Sequence, residues 1–245
     1  MASALTRNTA FLTLHIAPSR YSVKRVPGWL DRQPADQFPR AGLVLSIHSV
    51  WPQINIYPYL RMQNISVVPI DAATVMMPGG ERGAVNDMAG GEPGYFWLNP
   101  ANALVMLGII HRDLLAYVEQ SCLSPDAMSR QADALKRSFD SSSQQLRGIQ
   151  LELDRKIGAL EALQFAVRRQ ELTPLGQASY LPEVAFEQVL TGELPTLLIT
   201  TLEPDHSKLA DVPQHVSIWH VDDFSKYTED GFISRWERNL SELLR

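Results

Sequence analysis

Between Ser124 and Leu160 the apolar residues recur at steps of three and four. They are Met128, Ala132, Leu135 and Phe139, then, after a step of seven across Ser142, Leu146, Ile149, Leu153, Ile157 and Leu160. That is one stripe along an α-helix. Ser124 suits the N-cap, Pro125 the first turn, and Asp126 complements the positive helix end. No proline interrupts the run. Such a helix spans roughly 55 Å at about 1.5 Å per residue, and it is about three times as long as the usual ~11–12-residue helix. Two architectures accommodate it: a coiled coil or bundle, and a rigid strut joining two lobes. Strand-like, proline-punctuated segments on both sides favour the strut.

Before the strut, residues 10–16, 42–47 and 65–70 read as strands, being β-branched or aliphatic runs. Residues 18–39 read as irregular, with Pro27-Gly28 and Pro34 as breaks, and prolines interrupt the aromatic stretch 52–60. Residues 77–94, rich in glycine and proline, read as a loop. Asn99 then caps a helix with Pro100 in its first turn and Leu104, Leu107, Ile110, Leu114, Leu115 and Val118 on its buried face. After the strut, 163–167, 196–202 and 216–221 read as strands and 182–190 as a helix ending near Gly192. From about Thr228 a closing helix presents Phe232, Trp236, Leu240 and Leu243. Strands alternating with helices argue an α/β fold with parallel pairing.

Composition narrows the function. The 245 residues carry a net charge of −5, and no Lys/Arg cluster marks a nucleic-acid surface. The single cysteine, Cys122, excludes an internal disulfide and a multi-thiolate metal site. No stretch is long and apolar enough to cross a bilayer by this reading, since residues 101–110 run into His111, Arg112 and Asp113. Residues 1–10 make no convincing signal peptide. No phosphate-binding Gly-x-x-x-x-Gly-Lys-(Ser/Thr) loop, Gly-x-Ser-x-Gly elbow or His-Glu-x-x-His pair is present, which argues against the enzymes built on them. The chain is expected not to be an enzyme.

Several segments, in order, resemble the solute-binding proteins of zinc and manganese ABC transporters. Tyr95-Phe-Trp-Leu-Asn-Pro-Ala-Asn-Ala103 is similar to that family's His-x-Trp-Leu-(Asp/Ser)-Pro-x-Asn-Ala segment. Leu123-Ser-Pro-Asp-Ala127 resembles its Asp-Pro-x-Asn-Ala start of a long helix. Gln33-Pro-Ala-Asp36 followed by Arg40-Ala-Gly-Leu-Val44 resembles Thr-Pro-Ser-Asp and the later Ala-Asp-Leu-Val. The end, from Tyr227 through Arg238-Asn-Leu240 to Leu244, resembles the closing helix. The likeness covers about Pro27 to the C-terminus. It implies two α/β lobes with mainly parallel sheets joined by one long rigid helix: residues 1–122, a linking helix 123–161, and a shortened lobe 162–245. It also implies a periplasmic or extracytoplasmic location and an ABC transporter permease as partner.

The metal chemistry transfers poorly. The family holds zinc or manganese with three histidines and a carboxylate, the nitrogen and oxygen donors such ions want. The first histidine falls on Gly28, which has no side chain. The second falls on Tyr95, a phenol with an ordinary pKa of about 10. The third falls near Arg169, where Arg168 and Arg169 bring permanent positive charge. Asp222, in His220-Val-Asp-Asp-Phe224, is the one position where the family carboxylate survives. Nor can the loop before Trp97 gather metal as histidine-rich members do, because residues 49–110 contain no histidine.

A site rebuilt from other residues would use His48, which ends the 42–47 strand where ligands of open α/β sheets sit, with His220 and Asp222 and one residue from His15 or Asp223. His220 and Asp222 are two apart and share a face on a straight strand. The competing reading makes His220 an ordinary strand residue and His48 a loop residue bonded to backbone. Two functions follow. One is a transport protein whose usual metal site is dismantled, with a divalent ion such as zinc or manganese, or another solute, as cargo. The other is an interaction module in which the old cleft is closed and lobe surfaces bind a partner protein, motivated by the shortened second lobe, the 51–59 aromatic stretch and the absence of ligands.

Overall fold

The computed structural model describes residues 1–6, 26–33, 38, 41–73, 96–162, 166–169, 196–200, 212–222, 224 and 230–243. Within these the chain is mixed α/β, with helices dominant and two small parallel sheets. In order come α1 (Ala2–Thr6), α2 (Val26–Leu30), β1 (Leu43–Ser46), α3 (Tyr57–Gln63), β2 (Val68–Asp71), α4 (Pro100–Glu119), α5 (Pro125–Ala162), β3 (Ala166–Arg169), β4 (Thr196–Thr200), β5 (Val216–His220) and α6 (Phe232–Glu242). The strand expected over 10–16, the loop over 77–94 and the helix over 182–190 lie outside the described residues. The chain divides into two compact units. Met1–Gly83 and Leu104–Ser143 form the first, and Ala84–Ala103 and Gln144–Arg245 the second.

In the first unit β1 pairs parallel with β2, with Leu43 opposite Val68 and Ser46 opposite Asp71. Val44, Leu60 and Val67 make one small core cluster there, with Phe38, Ile56, Tyr57 and Tyr59 packed around them. Three expectations are corrected here. The prolines of 52–60 start helices rather than break the chain: Pro52 opens a 3-10 turn, Pro52–Ile54, and Pro58 sits in the first turn of α3. Proline's fixed φ and missing N–H cost nothing at those places. Pro27-Gly28 likewise falls inside the one-turn helix α2. The second strand begins at Val68, not 65, because 65 and 66 form a turn and Ile65 stays exposed.

Asn99 caps α4 as expected, its Oδ1 accepting the Ala101 N–H at 2.9 Å. Of the anticipated face, Leu107, Ile110, Leu114 and Val118 are buried, together with Ala103, Met106 and Ile109. Against the expectation from sequence, α4 is long and apolar enough to cross a membrane by length and composition, because the helix runs on through His111, Arg112 and Asp113 to Glu119. α5 is a single helix of 38 residues. Ser124 Oγ accepts the Ala127 N–H at 3.4 Å, and Ser124 carbonyl takes the first helical bond from Met128. Leu135, Leu146, Ile149, Leu153 and Ile157 are buried. Across the seven-residue gap the buried line is carried by Ser138, Ser142 and Ser143. These small side chains fill the stripe without bulk.

In the second unit β3, β4 and β5 form a parallel sheet in that order, with Thr200 opposite His220. The central strand carries Leu197, Leu198 and Ile199, all buried, the continuous apolar run typical of a covered parallel strand. Trp219 and Val221, on and just past β5, join Ile149, Leu153 and Ile157 of α5 and Trp236, Leu240 and Leu243 in and beside α6 in one core. Lys156 Nζ donates to the Leu240 and Leu243 carbonyls at 2.9 and 3.1 Å, so a lysine of α5 caps the C-terminal end of α6.

Candidate functional site

Two places hold the residues singled out from the sequence, and each belongs to its own unit. In the first, β1 and β2 end side by side, and the chain turns at His48 just past β1. The His48 Nδ1 lies 2.7 Å from Ser46 Oγ and 3.5 Å from Asp71 Oδ2. Asp71 is fixed from the backbone. Its Oδ2 accepts the Ser49 N–H at 2.7 Å and its Oδ1 the Ala73 N–H at 3.1 Å. The Ser49 hydroxyl closes the loop by donating to the Ala73 carbonyl at 2.9 Å. Nδ1 is taken up by the Ser46 hydroxyl and faces the Asp71 carboxylate, which leaves Nε2 as the ring nitrogen not engaged by these two side chains. Ser46 and Asp71 both approach Nδ1, so this is no Ser-His-Asp triad, which needs the two on opposite ring nitrogens.

Asp71 is the residue that sequence reasoning missed. The available signal was that it ends the second strand as Ser46 ends the first, so parallel pairing in register sets it beside the turn that carries His48.

In the second unit, His220 is the last residue of β5 and Asp222 lies two beyond it. The Asp222 carboxylate is committed elsewhere. Arg235 Nε donates to Oδ2 at 2.6 Å, Arg235 Nη2 donates to Oδ1, and the Phe224 N–H donates to Oδ1 at 2.9 Å. The Arg235 guanidinium also sits 4.6 Å from the centre of the Phe224 ring. Phe224 itself takes a left-handed φ of 61°, a strained backbone state for an aromatic residue. Asn239 clamps the same turn, its Oδ1 accepting the Asp222 N–H at 3.0 Å and its Nδ2 donating to the Asp222 carbonyl at 3.2 Å. Burial raises the Asp222 carboxyl, but the hydrogen bonds from Arg235 and Phe224 and the positive charges of Arg235 and Arg238 outweigh it, so it titrates below its ordinary range.

A carboxylate neutralised by a guanidinium on both oxygens is a poor partner for a divalent ion, which would have to displace that cation. Arg235 was legible only as one of two polar residues, with Asn239, on the face shared by Phe232, Trp236 and Leu240.

Of the other positions, Gly28 lies within α2 and Arg169 is the last residue of β3. Tyr95, His15 and Asp223 lie outside the described residues. Among the described residues no group of three or more His, Cys, Asp and Glu side chains could hold a metal ion. Comparison with protein-family models, with curated proteins and with solved structures returns no match.

Proposed function

We propose that this chain is a solute-binding-protein homologue of a zinc- or manganese-type ABC transport system in which most of the metal ligands have been lost. The observation that carries the reading is the order of its parts. A parallel pair β1–β2, the Asn99-capped α4 and an uninterrupted 38-residue α5 are followed by a parallel β3–β4–β5 sheet and a closing helix. In this reading α5 is the rigid link of two lobes, the protein works outside the cytoplasm, and its partner is a membrane permease. It carries rather than catalyses. The pairing of Asp222 with Arg235 supports the loss of the metal, and His48, held through Nδ1, is the imidazole left to contact a solute.

Elemental analysis and calorimetry with zinc and manganese test the reading. Purified protein should contain no stoichiometric metal and should show no tight, saturable binding of either ion. A one-to-one zinc site that survives replacement of both His48 and His220 by alanine would overturn the dismantled site. Failure of the purified permease complex to bind the chain would count against transport.

The second reading, an interaction module, draws on Met62, Ile65 and Val68, which stand 89 %, 77 % and 41 % exposed at the end of α3 and the start of β2. Replacing Met62 and Ile65 by serine would abolish partner capture in that case and leave solute binding intact.

A further inference from the structure

We propose that the stack of His111 on Phe139 is an acid-sensitive joint between α4 and the first half of α5, which loosens when the His111 imidazole takes a proton. The two rings lie 4.3 Å apart between centroids, with their planes 7° from parallel. His111 is the one titratable member of this contact, and its position on α4 is flanked, one turn either way, by buried Leu107 and Leu114. On the α5 side Leu135, one turn before Phe139, is fully buried. His111 Nε2 is itself buried and has no hydrogen-bond partner among the described residues.

Neutral imidazole tolerates this place, because one ring nitrogen then carries no proton. Imidazolium carries an N–H on both nitrogens, and the buried one would meet neither water nor an acceptor. The charged groups nearby do not repair this. Asp140, next to Phe139 on α5, attracts the proton, but burial outweighs it and holds His111 below its ordinary titration range. On α4 itself Arg112 and Asp113 are engaged with each other, Nε to Oδ1 at 2.9 Å. Acid therefore works against the packed helices at one defined point.

The test uses the full chain. The His111 ring proton, assigned with His111→Gln, is followed by NMR and is expected to titrate below the ordinary histidine value of about 6.5. Thermal melts at ~pH 7.5 and ~pH 5 should show a drop in wild type that shrinks in His111→Phe, which keeps a ring against Phe139 and has no proton to take. Amide exchange over 104–119 and 125–143, corrected for intrinsic rate, should speed up in acid in wild type and much less in the variant. Asp140→Asn, which leaves the ring in place, should lower the midpoint further. A ring that titrates at or above its ordinary value, an equal acid drop in His111→Phe, or no response to Asp140→Asn would each overturn the proposal.

Discussion

Arg235 and Asp222 meet end to end, a guanidinium on α6 against a carboxylate just past β5, with the arginine side chain 8 % and the aspartate 30 % exposed. Two consecutive elements are joined by charge across 13 residues of chain, at the position where the resemblance noted from sequence would put a metal ligand. Removing one partner of a buried pair costs ~3–5 kcal/mol because the other is left uncompensated. Here Asp222 has some access to water, so the loss falls to the lower end. Asp222→Ala, which strands the buried guanidinium, should therefore cost about 3 kcal/mol or less. Arg235→Leu, which leaves a carboxylate that water can reach, should cost less. The double variant should be more stable than Asp222→Ala alone, since no orphaned charge remains. Urea unfolding of the four proteins measures this, and additive losses would dissolve the coupling.

The same pair sets an acid limb. Asp222 titrates below its ordinary range in the folded chain, so the unfolded chain binds its proton more readily and stability rises with pH across that interval. The contribution is complete above the ordinary carboxylate pKa of about 3.9 and is lost as pH falls through the lower folded value. Denaturation midpoints taken between about pH 5 and pH 2 should fall more gently in Asp222→Asn than in wild type. Parallel curves would remove Asp222 from the acid response.

How much of this was legible follows from where the information sits. The long helix was written in spacing, and its start in Ser124-Pro125-Asp126, because helix periodicity and capping are local. Parallel pairing followed from alternation of strands and helices. The prolines at 52 and 58 are ambiguous in sequence because proline ends one element and begins another with equal ease, and only the helix that follows decides. That neither Gly28 nor Arg169 can serve as a metal ligand follows from side-chain chemistry alone. The partners of the candidate residues could not. Asp71 reaches His48 through strand register, and Arg235 reaches Asp222 through the packing of α6 on β5, and neither relation leaves a mark within a few residues of either partner.

Gly42 and Tyr117 make a second pair whose closeness can be tested. A Cβ at position 42 would overlap Tyr117 Oη and stand 3.3 Å from Cζ, inside van der Waals contact. Gly42→Ala should therefore destabilise by ~1–3 kcal/mol, the usual cost of overpacking. Tyr117→Phe removes the offending oxygen. The double variant Gly42→Ala/Tyr117→Phe should recover most of the loss, which thermal melts would read directly. A Gly42→Ala protein as stable as wild type would mean that the tyrosine ring swings aside at little cost.

The long helix carries two glycines in its interior, Gly148 and Gly158, and a Cβ at either would meet nothing within 4 Å. Both are exposed positions with helical neighbours on each side. Glycine there costs roughly 0.5–1 kcal/mol relative to alanine, because the unfolded chain loses more freedom on folding and no side chain shields the backbone. Gly148→Ala and Gly158→Ala should each stabilise the protein by about that amount, and, ten residues apart with no shared partner, their effects should add. Chemical denaturation of the two single variants and the double measures it. A neutral or destabilising Gly148→Ala would show that the helix needs its freedom at that point, and α5 would then be a jointed element rather than the stiff link that the carrier reading requires.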